Sequence, residues 1–89
     1  MKKIFKYELE VVANQEIEMP GGAEILCVQS QKKIMCLWAV VDPEMATQTR
    51  KIRIHGTGHD IPDTDSLSYI GTVQMLDGQL IWHVFEEWI

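Results

Sequence analysis

Two histidines, an arginine and two glycines crowd into one short run, Arg53-Ile54-His55-Gly56-Thr57-Gly58-His59. Backbone N–H groups beside glycines can converge on an anion, and Arg and His side chains add charged or neutral donors to a phosphate. If the run enters as a strand, Lys51, Arg53 and His55 share one face, and Ile52 and Ile54 the other. The expected ligand-binding set is Arg53, His55, Gly56, Thr57, Gly58 and His59, with Trp82 as a core residue or an aromatic pocket wall. The competing account of the same residues is a tight turn leaving a strand. Arg50 receives no role, because it shares a face with Ile52 only if the strand has already begun there.

Other chemistries fit the run less well. Dinucleotide and nucleotide fingerprints need a third glycine or Gly-Lys-Ser/Thr ahead of a helix, whereas Ile61-Pro62 follows here. His55 and His59 have the spacing of a helical zinc pair, but the glycines between them oppose a helix and no third ligand has recognisable spacing. Asp60, Asp63 and Asp65 lack the glycine and terminal glutamate of a calcium loop. Ser66, Ser68, Cys27 and Cys36 stand in no motif that names a base. Glu86 and Glu87 point to opposite faces of a strand and cannot act as a dyad. No enzyme, metal or cofactor is expected.

The elements that position the run are short strands. Phe5, Tyr7, Leu9 and Val11 alternate with charged residues, Glu16–Met19 resumes the alternation, and Pro20-Gly21-Gly22 turns the chain. Ala23–Gln29 and Ile34–Val41 form a pair, the second apolar on both faces as for a central strand packed above and below. With the hairpin centred between Gln31 and Lys32, Ile25 faces Trp38 and Cys27 faces Cys36. After the 42–48 loop and the run itself, a single turn fits near Asp63–Leu67. Tyr69–Met75 then carries an interior Gly71 that marks a bulge or a close approach. Asp77-Gly78 is a strong hairpin turn, and its register sets Met75 against Leu80, Val73 against Trp82 and Gly71 against Val84, with Trp82 covering the space beside Gly71. Leu80–Glu86 is the last strand, and Glu86–Ile89 runs into a tail whose Trp88 either frays or enters a subunit contact. The pattern predicts one all-β domain over 1–89, an antiparallel sandwich or open barrel of about seven strands.

The chain has 89 residues, 46% hydrophobic and 24% charged, with a net charge of −5. That balance argues against nucleic acid as a partner. All eight basic residues lie at or before Arg53, and Asp60, Asp63, Asp65, Asp77, Glu86 and Glu87 follow. No run approaches the roughly 20 apolar residues of a membrane span, and Tyr7–Glu10 interrupts any signal-peptide core. A cytosolic protein with two reduced, buried thiols is expected.

Several segments carry a resemblance when taken together: Tyr7–Glu10, Ile17–Pro20 with Gly22–Leu26, Leu37–Pro43, Arg53–His59, Tyr69–Thr72 and His83–Glu86. The chain resembles a family of short, uncharacterised proteins of tailed bacteriophages and prophages. That resemblance implies a phage product in the host bacterial cytoplasm and brings no activity, catalytic residue or cofactor. The expected function is non-enzymatic: an oligomeric binding protein that holds a phosphate-bearing small molecule, such as an immune signalling nucleotide. The alternative is an accessory or virion protein whose acidic C-terminal half meets a host or phage protein.

Overall fold

The computed structural model describes residues 1–88, whose regular structure is seven strands and one short 3-10 turn. The strands are β1 (Lys3–Leu9), β2 (Asn14–Pro20), β3 (Glu24–Gln31), β4 (Ile34–Val41), β5 (Thr47–Gly56), β6 (Leu67–Met75) and β7 (Leu80–Glu87). The 3-10 turn, Thr64–Ser66, falls where the single turn is expected. One sheet has the order β1-β4-β3 and the other β2-β5-β7-β6, with every neighbouring pair antiparallel. The fold is therefore all-β, a two-layer sandwich with open edges rather than a closed barrel. Its thin dimension of 16 Å suits two facing sheets. No described helix is long and apolar enough to cross a membrane.

Period-two alternation decides what lies between the sheets. Met35, Leu37, Ala39 and Val41 of β4 are buried, as are Ile52 and Ile54 of β5, Val73 of β6 and Val84 of β7. Met19 and Leu9 complete the same core from β2 and β1. β4 is central in its sheet, but the expectation that it is packed above and below needs correction. Its outer-face residues Trp38 and Val40 are only half-buried, and no third layer lies over them among the described residues. Cys36 on that face is 1% exposed, set between Glu8 and Gln29 of the flanking strands. β1 ends at Leu9, so Val11 lies in a loop rather than on the strand face.

The β6–β7 hairpin has the expected register, with Met75 opposite Leu80, Val73 opposite Trp82 and Gly71 opposite Val84. Asp77 and Gly78 both have positive φ, and Gln79 N–H donates to Leu76 O at 3.0 Å, as a type I′ turn requires. The bulge expected at Gly71 is present: Ile70 is the extra residue. Val28, not Trp82, occupies the space beside the glycine. A Cβ there would stand 2.9 Å from Val28 Cγ1, so β6 comes close to β3 at Gly71.

The β3–β4 hairpin departs from its expected register. Gln31 pairs with Ile34, which puts the turn at Lys32-Lys33, both with positive φ. A second bulge, at Leu26, shifts the register by one residue for Ile25 and Glu24. Cys27 then faces Trp38, Ile25 faces Ala39 and Cys36 faces Gln29, and both thiols are free. Lysines rarely adopt positive φ, so nothing in the sequence marks that turn. Glu86 and Glu87 belong to β7 instead of a tail, and the Trp88 N–H donates to Ser66 O at 2.7 Å. Ile89 lies outside the described residues.

Candidate functional site

β5 runs between β2 and β7, so its side chains have cross-strand neighbours from both. Its outer face carries Thr49, Lys51, Arg53 and His55. Lys51 stands opposite Glu16 of β2 and Glu87 of β7. The Arg53 guanidinium donates to the Glu87 carboxylate. His55 meets the Phe85 ring edge-on, with centroids 6.0 Å apart. The basic row expected to hold a phosphate is thus matched to acids by the sheet register.

Because β5 begins at Thr47, Arg50 does share the inner face with Ile52, and it has a role. Its Nε and Nη2 donate to the two carboxylate oxygens of Glu86, Nη2 at 2.9 Å. Its Nη1 donates to Ala23 O at 2.8 Å. The two side chains are 11% and 7% exposed, and the hydrogen bond to Glu86 holds the guanidinium pKa above its usual value against the opposing effect of burial. Ala23 sits on the connection that leaves β2 in one sheet for β3 in the other. The pair therefore ties that crossover to the β5–β7 ladder.

Past Ile54 the chain turns through Gly56-Thr57-Gly58-His59. His59 N–H donates to Gly56 O at 3.1 Å, and Gly58 has φ +86°, the position a type II turn reserves for glycine. Gly56 is needed for space: a Cβ there would lie 2.8 Å from the His59 ring and 3.2 Å from Trp82 Cζ3. The His59 ring thereby lies against Gly56. Two cavities of about 530 and 280 Å³ adjoin it, and both include Gly56, His59 and Trp82 in their walls. The larger is also walled by Ile54, Pro62 and, from the loop after β1, Val11 and Val12, with Asn14, His55 and Asp60 as further polar groups. Two interactions bring that loop against β5. Ile54 N–H donates to Ala13 O at 3.0 Å, and Gln15 bonds both backbone groups of Glu10. Trp82 Nε1 is buried without an acceptor among the described residues.

Thr57 turns to the opposite face. Its Oγ1 lies 2.7 Å from His83 Nε2, while Thr72 Oγ1 lies 3.0 Å from His83 Nδ1 and 2.6 Å from Tyr69 Oη. Tyr69 also packs edge-on against Phe85, with centroids 5.6 Å apart. The structure therefore divides the expected set into three groups. Gly56, His59 and Trp82 line both cavities, with His55 in the wall of the larger and Thr57 in that of the smaller, Gly58 shapes the turn, and Arg53 stays on the outer face with Glu87.

Sequence reasoning passed over Arg50, Glu86, His83, Thr72 and Tyr69. For Arg50 and Glu86 the available signal was parity, since both fall on the buried phase of their strands. For His83, Thr72 and Tyr69 the hairpin register set by Asp77-Gly78 already placed Thr72 opposite His83.

A family model described as Domain of unknown function (DUF7352) matches residues 1–89. The chain belongs to this family. No curated protein matches it, and no solved structure does. The DUF7352 assignment spans the turn, the cavities and the outer-face network alike.

Proposed function

We propose that this domain is a non-enzymatic binding module for a nucleotide-like small molecule, gripped by its planar ring in the cavity beside His59 and Trp82. The observation that carries this reading is the cavity of about 530 Å³, walled by Val11, Val12, Ile54, Pro62 and Trp82 with Asn14, His55, His59 and Asp60 as its polar groups. Apolar walls with a few convergent polar groups are the usual make-up of a small-molecule site. Trp82 contributes an aromatic wall to that cavity, with its Cζ3 edge toward Gly56, against which a planar ring packs. The ring, rather than the phosphate, dominates recognition because Arg53 is engaged with Glu87 and Arg50 with Glu86. The likeness to phage proteins supplies the setting of this reading: a signalling nucleotide sequestered in the host cytoplasm.

A panel of nucleosides, nucleotides and cyclic oligonucleotides, scored by the shift in melting temperature, tests the reading. Saturation at about 100-fold above Kd is worth roughly 2.7 kcal/mol. A matching nucleoside is expected to raise the melting temperature nearly as much as its phosphorylated form, and His59→Ala and Trp82→Phe to abolish the rise. A panel without effect refutes it. So does a shift that requires the phosphates and vanishes in Arg53→Ala.

The exposure of Asp60, Asp63 and Asp65 favours a second reading, an accessory or virion protein that meets a basic partner through this loop. Its test is a partner captured by the parent chain and lost on reversing those three charges.

A further inference from the structure

Each sheet of the sandwich has two open edges, and three of the four are ill-suited to pairing with another strand. β3 and β6 are bent by the bulges at Leu26 and Ile70, and bulges protect edges by twisting them out of register. β2 ends in Pro20 and carries Glu16 and Glu18 on its outer face. Any face-preserving antiparallel pairing of β2 with its own copy, centred on Glu16, Ile17 or Glu18, sets glutamates opposite each other.

β1 differs. It pairs with β4 in unbroken register from Lys3 to Leu9, with no bulge and no proline, and β4 is its sole strand neighbour among the described residues. Its odd residues Phe5, Tyr7 and Leu9 face the core side opposite Ala39, Leu37 and Met35, and its even residues Ile4, Lys6 and Glu8 face outward. Phe5 remains 37% exposed and Ile4 61% exposed. An antiparallel pairing of β1 with β1 of a second copy, centred on Tyr7, keeps both faces in phase. It sets Lys6 opposite Glu8 of the other copy twice over on the outer face. On the inner face it sets Phe5 opposite Leu9 and Tyr7 opposite Tyr7. Moving the centre to Lys6 or to Glu8 instead places like charges face to face. A centre at Phe5 avoids like charges but sets Lys6 opposite Ile4, so among these registers only the centre at Tyr7 pairs opposite charges within β1.

We propose that the β1 edge is a homodimerisation surface, on which two copies pair antiparallel about Tyr7 and join their three-stranded sheets into one. The contact is isologous and closes after two copies, because each β1 edge is used once. The ligand reading above is independent of it, since β1 lines neither cavity beside His59.

Sedimentation velocity across a concentration series tests the proposal, with the 10.2 kDa chain expected to associate reversibly to twice its mass. Lys6→Glu and Glu8→Lys each replace two attractive cross-strand pairs with repulsive ones, which weakens the dimer by roughly tenfold or more. The charge swap Lys6→Glu/Glu8→Lys restores complementarity in the same register and is expected to return the affinity to near the parent value. Backbone amides of β1 gain hydrogen-exchange protection as the dimer fills. A chain monomeric at every concentration overturns the proposal. So does a dimer indifferent to both single substitutions, a double variant no tighter than the singles, or growth beyond two copies.

Discussion

Replacing Glu86 with leucine strands the Arg50 guanidinium inside the sandwich with Ala23 O as its remaining described partner. Arginine cannot escape by losing its proton, since its pKa begins far above neutrality and the pair raises it further. Removing one member of a buried pair costs about 3–5 kcal/mol, whereas an exposed pair contributes roughly 0–1 kcal/mol. Exposures of 11% and 7% put this pair in the first group. Small domains hold only about 5–15 kcal/mol in all, and each kcal/mol moves the melting temperature of a domain this size by roughly 4–8 °C. Glu86→Leu is therefore expected to melt at least ~12 °C lower. Arg50→Met/Glu86→Leu removes both charges and recovers most of that loss, less about 1 kcal/mol for the Ala23 carbonyl left without its donor. Urea denaturation of the parent, both single variants and the double variant gives the coupling energy directly. Arg50 has a raised folded pKa, so its contribution is complete below the unfolded pKa and fades only as pH climbs through the folded one. The Glu86→Leu penalty should accordingly be constant from neutrality into mild alkali. Single variants within about 1 kcal/mol of the parent would refute the reasoning, because the pair would then be behaving as a screened surface contact.

Two further substitutions probe the packing and the turns. Gly71→Ala drives a Cβ to within 2.9 Å of Val28 Cγ1. A loss of about 1–3 kcal/mol is expected from such overpacking. Val28→Ala in the same chain should return part of it, and a pair of additive losses would argue against the contact. Lys32→Asn/Lys33→Gly places type I′ residues where both φ angles are already positive, and a gain of roughly 1–2 kcal/mol is expected in chemical denaturation. No gain would mean that the turn is centred elsewhere.

Much of the fold was legible because the strands obey period two and because one turn announced itself. Asp77-Gly78 sets the pairing from Met75 to Gly71, and the interior glycine marks the bulge beside it. Lys32-Lys33 did not announce itself, since a lysine held at positive φ leaves no trace in composition. That turn set Cys27 against Trp38, and the bulge at Leu26 then set Ile25 against Ala39. Which residue of β3 fills the gap beside Gly71 depends on how one sheet lies over the other. Local patterns carry no information on that, so Trp82 was expected where Val28 stands. The loop 10–14 was misjudged for a related reason: Val11 continues the alternation of β1 but leaves the strand to wall the cavity under Trp82.

The charge distribution has the same physical origin as the divided site. Along the chain, bases give way to acids after Arg53, which drew attention to β5 as a place for an anion. In the sheet, that change of sign is cross-strand complementarity. β5 supplies Arg50, Lys51 and Arg53, while Glu86 and Glu87 of β7 meet them on both faces and Glu16 of β2 stands opposite Lys51. The acids that looked like a tail are the partners of the bases that looked like a ligand site. Sequence order separates them by more than thirty positions, so only the β5–β7 pairing reveals the match. What remains beside His59 is the aromatic wall of Trp82 with Val11, Val12, Ile54 and Pro62 around it. The binding role proposed above rests on those walls, which suit a planar ring. A phosphate would instead have to compete with Glu87 for Arg53, and the preference for a ring over a phosphate rests on that competition.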